Sequence, residues 1–468
     1  MSLGKIVAFS LLAAGLCVPS APAASPAEPS GQRAADEAFL RGLFAGPFDG
    51  ADSSAGRKRI DDYLARRTHD ANSLQKLLAT EAAYPSVEAG WHRGSVRVTD
   101  GARKHDVSFV VHVPRSYRPA RPHAMLLAAH GQHGGGEGMA RTLLRMLGPE
   151  AEKYLVVAPT MPGPRHYSGK AYQEQAYLRP LRWVRRRYNV DDDRICLAGY
   201  SQGGHGTWHL ATLFPRHFAA AVAMAGTPWF EGAPATANLY LENLSNVRFW
   251  SVWGERDKPP PPAIGQVQFN RAATRRLKEL GNANYRGTEL RGVGHGGCWP
   301  DRQAFAAFLA AGKRSAVPEK FAHFFHLEHH KRGYYLEAIR LAARPMRMDG
   351  PIRIKFRGKP SDTDSDRAVE DHFRKLLFKM WGELDRKANR LTVRTSRIRS
   401  VRVYVTEGLF DLSQPVTVCL NGRSWRLRVP ASPACMLAHY AADRDATALV
   451  VNEIDVAPAG TPRVRYKR

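Results

Sequence analysis

The sequence predicts an α/β protein: a mostly parallel sheet with helices on both faces, plus a smaller β-rich C-terminal domain. Three observations carry this. Between about residues 94 and 315, short apolar runs alternate with amphipathic segments of helix length. Those runs are apolar throughout rather than alternating, as strands covered on both faces are. After about residue 320, short strand-like runs follow one another, two of them joined by Asn421-Gly422, a strong hairpin signal.

The elements follow in order. Lys5 precedes an apolar run over 6–18, and Ala21-Pro22-Ala23 then offers a small-residue cleavage site, so 1–24 reads as a signal peptide. That run is too short to span a bilayer and no later run is longer, so the expectation is a secreted or periplasmic protein with no transmembrane segment after signal removal. Residues 25–93 comprise a linker rich in Ala, Pro and Ser, then a helical segment. In it Ile60, Tyr63 and Leu64, and again Leu74, Leu77 and Leu78, recur at helical spacing, and the segment is expected to pack on the domain that follows. That domain, 94–318, opens with a hairpin of strands 95–98 and 107–113 around Asp100-Gly101. Strands 124–129, 155–158, 195–198, 219–225, 247–253 and 285–290 then alternate with helices 173–188, 202–214, 266–280 and 301–311. The β-rich domain, 319–468, holds strand candidates 323–330, 334–339, 352–356, 391–395, 401–405, 416–420 and 425–429, with helices at 367–386 and 433–442.

Composition narrows the functional classes. The 468 residues are 44% hydrophobic, enough for a sizeable core and against disorder. The net charge is +26, but basic residues are scattered, the densest run being Arg185-Arg186-Arg187. Without a zinc-finger or RNA-recognition signature, no specific nucleic-acid partner is expected. Cys17 leaves with the signal peptide, and the remaining Cys196, Cys298, Cys419 and Cys435 contain no CxxC pair to hold zinc. Cys419 and Cys435 are near enough in the chain to pair in an oxidising compartment, whereas Cys196 reads as a buried thiol. His323, His326, His329 and His330 are read on a half-buried strand whose wet face carries His326, Glu328 and His330. No metal and no cofactor is expected.

The chemistry gathers at strand ends. Gly199-Tyr200-Ser201-Gln202-Gly203-Gly204 lies between a strand and a helix, where a sharp turn exposes a serine at a helix N-terminus. A serine hydroxyl needs a base. His295, in Gly292-Val293-Gly294-His295-Gly296-Gly297, follows a strand and is flanked by glycines. A histidine base needs a carboxylate to fix its tautomer. Asp257 follows strand 247–253 and is preferred over the neighbouring Glu255, and Asp301 fits poorly. Backbone N–H groups of Gln202 and of Gln132, in His130-Gly131-Gln132-His133-Gly134-Gly135-Gly136, are the candidate oxyanion donors. Trp229 and Trp299, in loops after strands, are candidate substrate contacts, and Pro259 to Pro262 reads as a stiff segment behind Asp257.

Together these features resemble the α/β-hydrolase superfamily, and within it the dienelactone hydrolase, phospholipase/carboxylesterase and prolyl-oligopeptidase catalytic-domain groups. The stretch from Asp193 to Gly204 is most similar to them, and the resemblance covers roughly 94–315. It implies a carboxylic ester as substrate, small or polymeric, or else a peptide bond. The chain departs from prolyl oligopeptidases in lacking a long N-terminal propeller region, and from plain carboxylesterases in about 150 extra C-terminal residues. Three readings stay open: an exported esterase working through an acyl-enzyme on Ser201, a serine peptidase using the same residues, and a non-catalytic scaffold. The C-terminal domain is a candidate for binding a polymer or surface.

Overall fold

In the computed structural model, residues 38–39, 54–66, 71–80, 84–161, 171–228, 238–257, 266–345, 358 and 362–466 are described. The signal peptide, the linker, strand 352–356, Trp229 and Pro259 to Pro262 lie outside the described residues. Among the described residues no helix is long and apolar enough to cross a membrane.

The chain runs α1 (Ser54–Arg66), α2 (Ala71–Thr80), β1 (Gly90–Asp100), β2 (Arg103–Val113), β3 (His123–Ala129), α3 (Gly136–Leu147), β4 (Tyr154–Pro159), α4 (Ala171–Arg185), β5 (Val190–Tyr200) and α5 (Gln202–Leu213). It continues through β6 (Ala220–Met224), β7 (Arg248–Gly254), α6 (Gln266–Glu279), β8 (Tyr285–Leu290) and α7 (Arg302–Ala310). These strands form one sheet of eight, in the order β1-β2-β4-β3-β5-β6-β7-β8. The β1–β2 hairpin is antiparallel, its turn relieved by Gly101 at φ +57°, and β4 pairs antiparallel with β2. From β4 to β8 every pairing is parallel.

Parallel pairing requires crossovers, and the crossover helices cover both faces. Along β3 the alternation is explicit: Met125, Leu127 and Ala129 face a core shared with α4, α5 and α6, while Ala124, Leu126 and Ala128 face one shared with α3 and α7. Uniform apolarity in the sequence reflects this two-sided burial, each Leu or Val contributing about 1.5–3 kcal/mol.

Beyond the large sheet lie β9 (Lys320–Phe325), β10 (Arg332–Gly333), β11 (Leu336–Leu341), α8 (Asp362–Leu376), β12 (Phe378–Asp385), β13 (Arg390–Ser396), β14 (Ile398–Thr406), β15 (Val416–Leu420), β16 (Arg423–Leu427), α9 (Pro433–Asp443), β17 (Val450–Val456) and β18 (Arg463–Val464). They form two five-stranded sheets, β10-β11-β14-β17-β18 and β16-β15-β13-β12-β9. The β15–β16 turn has Asn421 at φ 49° and Gly422 at φ 88°, the two positive angles of a tight hairpin.

Several expectations are corrected. The strand expected over 323–330 stops at Phe325, and Glu328–His330 form a short 3-10 turn. His326 and His330 are buried rather than wet, because the turn folds His330 back so that its carbonyl oxygen meets His323 Nε2 at 2.6 Å. The helix expected over 367–386 is α8 followed by β12. Phe378, Met380, Gly382 and Leu384 are buried at every second residue, a period that fits pairing between β9 and β13 and not a helix. Cys419 and Cys435 do not pair: both are free. Cys419 lies on the face of β15 opposite its buried Val416, Val418 and Leu420, whereas Cys435 packs on Tyr404 and Val450. Finally, Ile60, Tyr63, Leu74 and Leu78 from α1 and α2 join the core of the C-terminal region, with Met436, Leu437 and Tyr440 of α9, rather than the region that follows them in sequence.

A buried ionic network ties the C-terminal region to the large sheet. Arg314, 2% exposed, lies 2.6 Å from Asp445 and 3.0 Å from Asp193. Arg185, 1% exposed, pairs with Asp192 at 2.6 Å and reaches Asp445 at 3.5 Å. Asp445 therefore neutralises two buried guanidinium groups from the other side of the boundary, and they hold its carboxyl well below the usual range. Asp445→Ala leaves both cations short of a partner and should lower unfolding free energy by about 3–5 kcal/mol, read as a shifted urea midpoint. A shift below 1 kcal/mol would mean that the network adds no net stability.

Candidate active site

The turn from β5 into α5 places Ser201 at the C-terminal edge of the sheet, with φ 57° and ψ −119°. For a residue with a side chain this is a strained conformation, costing about 1–3 kcal/mol. It is held by the Ser201 N–H donating to Met224 O at 2.8 Å and the His205 N–H donating to Ser201 O at 3.0 Å. The neighbouring glycines are needed for space. A Cβ on Gly203 would lie 1.9 Å from Ala129 O, and one on Gly199 would lie 2.1 Å from Gly203 O.

His295 occupies the short turn after β8. Its Nε2 is 2.8 Å from Ser201 Oγ. Its Nδ1 is 2.9 Å from Asp257 Oδ1 and 3.0 Å from Oδ2. An acceptor-only carboxylate requires the proton on Nδ1, which leaves Nε2 free to accept the serine proton. Asp257, 5% exposed, follows β7 by three residues. Its hydrogen bond raises the His295 pKa above 6.5, against an opposing effect of burial.

The competing carboxylates are engaged elsewhere. Glu255 accepts the Gly292 N–H at 2.8 Å, tying the end of β7 to the loop before His295. Asp301 caps α7 by accepting the Ala304 N–H at 2.9 Å.

Opposite the serine, the loop after β3 approaches closely: a Cβ on Gly131 would sit 3.4 Å from Ser201 Cβ. Gln132 follows and is exposed. Gln202 is the first residue of α5, where helix N–H groups have no partner within the helix. Of the two candidate tryptophans, Trp299 lies beside the site: it stacks on Tyr200, ring centroids 4.6 Å apart and nearly parallel at 8°.

Sequence reasoning missed three supporting residues. His130, 2% exposed, donates from Nδ1 to Gly131 O at 2.7 Å and accepts the Met161 N–H at Nε2, 3.0 Å away. Burial lowers its pKa, so it stays neutral and fixes the glycine loop as a bridge rather than acting as a base. Tyr200 donates its hydroxyl to His295 O at 2.7 Å. Cys298 is buried beneath Asp257, its sulfur 3.9 Å from Oδ2, and burial pushes the thiol up to about 12. The signal for His130 and Tyr200 was position: each adjoins the turn that its strand ends in.

Residues 101–314 match the Esterase family model, described as "Putative esterase". No curated protein matches the chain. Among solved structures, a thermostable esterase is similar at 23% identity and TM-score 0.39, over 47% of this chain and 63% of that one. The S-formylglutathione hydrolase FrmB from Staphylococcus aureus is similar at 16% identity and TM-score 0.35, over 48% of this chain and 98% of that one. The poly(3-hydroxybutyrate) depolymerase LpqC from Bordetella parapertussis is similar at 18% identity and TM-score 0.34, over 50% and 90%. The chain thus spans less than two thirds of the thermostable esterase's length. Residues 101–314, under half of the chain, thus match an esterase family, and the mostly parallel sheet with helices on both faces has an α/β-hydrolase-type architecture.

The glycine contacts give a direct test of the turn. Gly203→Ala forces a methyl group against the Ala129 carbonyl and should destabilise the fold by about 3 kcal/mol. Gly138→Ala, which meets nothing within 4 Å on a helix surface, serves as the neutral control. Equal melting temperatures for the two variants would show that the turn has room to spare.

Proposed function

We propose that this protein is an exported serine esterase that cleaves a small carboxylic ester through an acyl-enzyme on Ser201. The observation that carries the reading is the continuous hydrogen-bonded series from Asp257 through His295 to Ser201 Oγ. In the forward step His295 Nε2 takes the hydroxyl proton as Ser201 Oγ bonds to the ester carbonyl carbon. Asp257 stabilises the imidazolium that results. The carbonyl oxygen, now anionic, is met by the N–H groups of Gln202 and Gln132. Collapse expels the alcohol, which takes its proton from His295. A water molecule, deprotonated by the same nitrogen, then releases the acid. Trp299, stacked on Tyr200 beside His295, is suited to contact the substrate. The Esterase family match supports the ester class, and the signal-like N-terminus supports export.

The test compares the mature protein with Ser201→Ala on p-nitrophenyl esters and peptide p-nitroanilides. Ester turnover should fall at least about 10³-fold in the variant. Turnover of anilides alone would replace the esterase with a peptidase. A folded protein that turns over neither, and whose Ser201 resists a fluorophosphonate, would leave the catalytic reading without support.

The pH profile follows from His295. The base works only when neutral, and its pKa is raised, so kcat/KM should climb with pH through a value above 6.5. Asp257→Asn removes the cause of the shift. Its acid limb should move to lower pH, while kcat falls by roughly 10³–10⁴. An unmoved limb would show that another group governs the profile.

A further inference from the structure

A second polar cluster lies behind α5, on the helix that begins at Ser201 but sealed between α4, α5 and the turn after β9. Glu174 comes from α4, His209 from α5, and His329 and His330 from the turn. Glu174 Oε1 is 2.6 Å from His209 Nε2 and 2.6 Å from His330 Nε2, and its Oε2 is 3.0 Å from His329 Nε2. The side chains of Glu174, His209 and His330 are 2%, 4% and 0% exposed, and that of His329 is 33% exposed. The ligand-type atoms of the first three all lie within 4.8 Å of one another.

Charge makes this arrangement costly as it stands. A buried carboxylate needs a cation, and leaving one uncompensated costs several kcal/mol. The buried carboxylate of Asp445 faces arginine, and that of Asp257 faces one imidazole at the open site, whereas Glu174 is sealed among several. The ion-pair partners of Glu174 are imidazoles alone among the described residues. A neutral imidazole supplies only a dipole, and a protonated one must itself be stripped of water in the same pocket. A divalent cation resolves the conflict, since neutral imidazole nitrogens and a carboxylate oxygen are its preferred ligands.

The geometry suits that occupant. Zinc takes four ligands tetrahedrally at about 2.0–2.2 Å, which separates neighbouring ligand atoms by roughly 3.3 Å. The 2.6 Å separations of His209 and His330 Nε2 from Glu174 Oε1 open to that value by side-chain shifts of under about 1 Å, while His329 meets the other carboxylate oxygen at the exposed rim. The turn carrying His329 and His330 is fixed from behind, by His323 Nε2 on the His330 carbonyl and by the Tyr240 hydroxyl on His326 Nδ1. These contacts fix the backbone of the turn that carries His330.

We infer that Glu174, His209 and His330, with His329 beside them on the second carboxylate oxygen, form a structural site for a zinc-type divalent cation, which clamps the turn after β9 onto α4 and α5. Its three close ligands are buried and come from separate elements, so its role is to hold parts together. Ester cleavage at Ser201 does not pass through it.

The test uses full-length mature protein without a polyhistidine tag, stripped with a chelator and dialysed against zinc or cobalt(II) chloride. Ser201→Ala carries the same measurements, so that the result is independent of hydrolysis. The expected outcome is one metal ion per chain by elemental analysis, a tetrahedral cobalt(II) absorption spectrum, and a melting temperature that falls on chelation and recovers with zinc. Glu174→Gln should lose the bound ion. Because that variant replaces a buried group, His329→Ala is the second probe: its side chain is part-exposed, and loss of its contact with Glu174 should weaken zinc binding severalfold with the fold retained. No stoichiometric metal on the parent protein, with melting indifferent to chelator, would overturn the inference and leave a metal-free carboxylate–imidazole cluster. Undiminished zinc binding in both variants would overturn it equally, by locating the ion elsewhere.

Discussion

The tight turn at Ser201 is the constraint on which the site depends. The chain leaves the centre of the sheet along β5, reverses within a few residues and enters α5, and this brings Gly203 against the end of β3 and Gly204 against Gly226 after β6. Neither contact has room for a methyl group. The helix therefore sits closer to the sheet than any side chain would allow, and the serine is lifted clear at positive φ. Strain at one residue is offset by the packing of α5, with Trp208, Leu210, Ala211 and Leu213 all buried against the sheet.

The rest of the site is built by making neighbouring loops rigid around that fixed point. Each loop has a polar anchor. His130 bridges the glycine loop to Met161, Glu255 pins the segment before His295, and the Tyr200 hydroxyl holds the His295 carbonyl. These hydrogen bonds join main chain to side chain, so they position the loops without crowding the open side of Ser201. The electrostatic design is economical. One carboxylate, Asp257, is buried at the site and spends both oxygens on one imidazole nitrogen, while its rivals serve as a loop tie and a helix cap.

Outside the large sheet, the molecule closes on itself. Helices α1 and α2, from before the sheet, complete a core formed by α9 and strands from after it. At the boundary with the large sheet, Phe324, Phe373 and Leu377 join its apolar core beside buried polar contacts, with the arginine network around Asp445 at one place and the imidazoles around Glu174 at another. Ionic contacts of this kind require matched geometry from both sides, and so they specify one docking arrangement more sharply than apolar contact would.

By itself, the sequence determined the parallel sheet and the placing of Ser201, Asp257 and His295 at strand ends. Strands covered on both faces must be apolar throughout, and glycines must flank a serine or histidine at a sharp turn, so both constraints leave a local mark in the chain. The order of Ser201, Asp257 and His295 after β5, β7 and β8 is legible for the same reason. What depended on distant partners was not. Asp257 and Glu255 are two residues apart and chemically alike, and only the path of the loop before His295 separates them. Residues 378–385 carry residues that suit a helix, yet pairing with β9 and β13 draws them into a strand. His326 and His330 looked like the wet face of a strand, and tertiary structure buried them by bringing α4 and α5 over a turn more than a hundred residues away. Periodicity reports which face of an element is apolar, but the partner that covers a polar group is fixed only when separate parts of the chain meet.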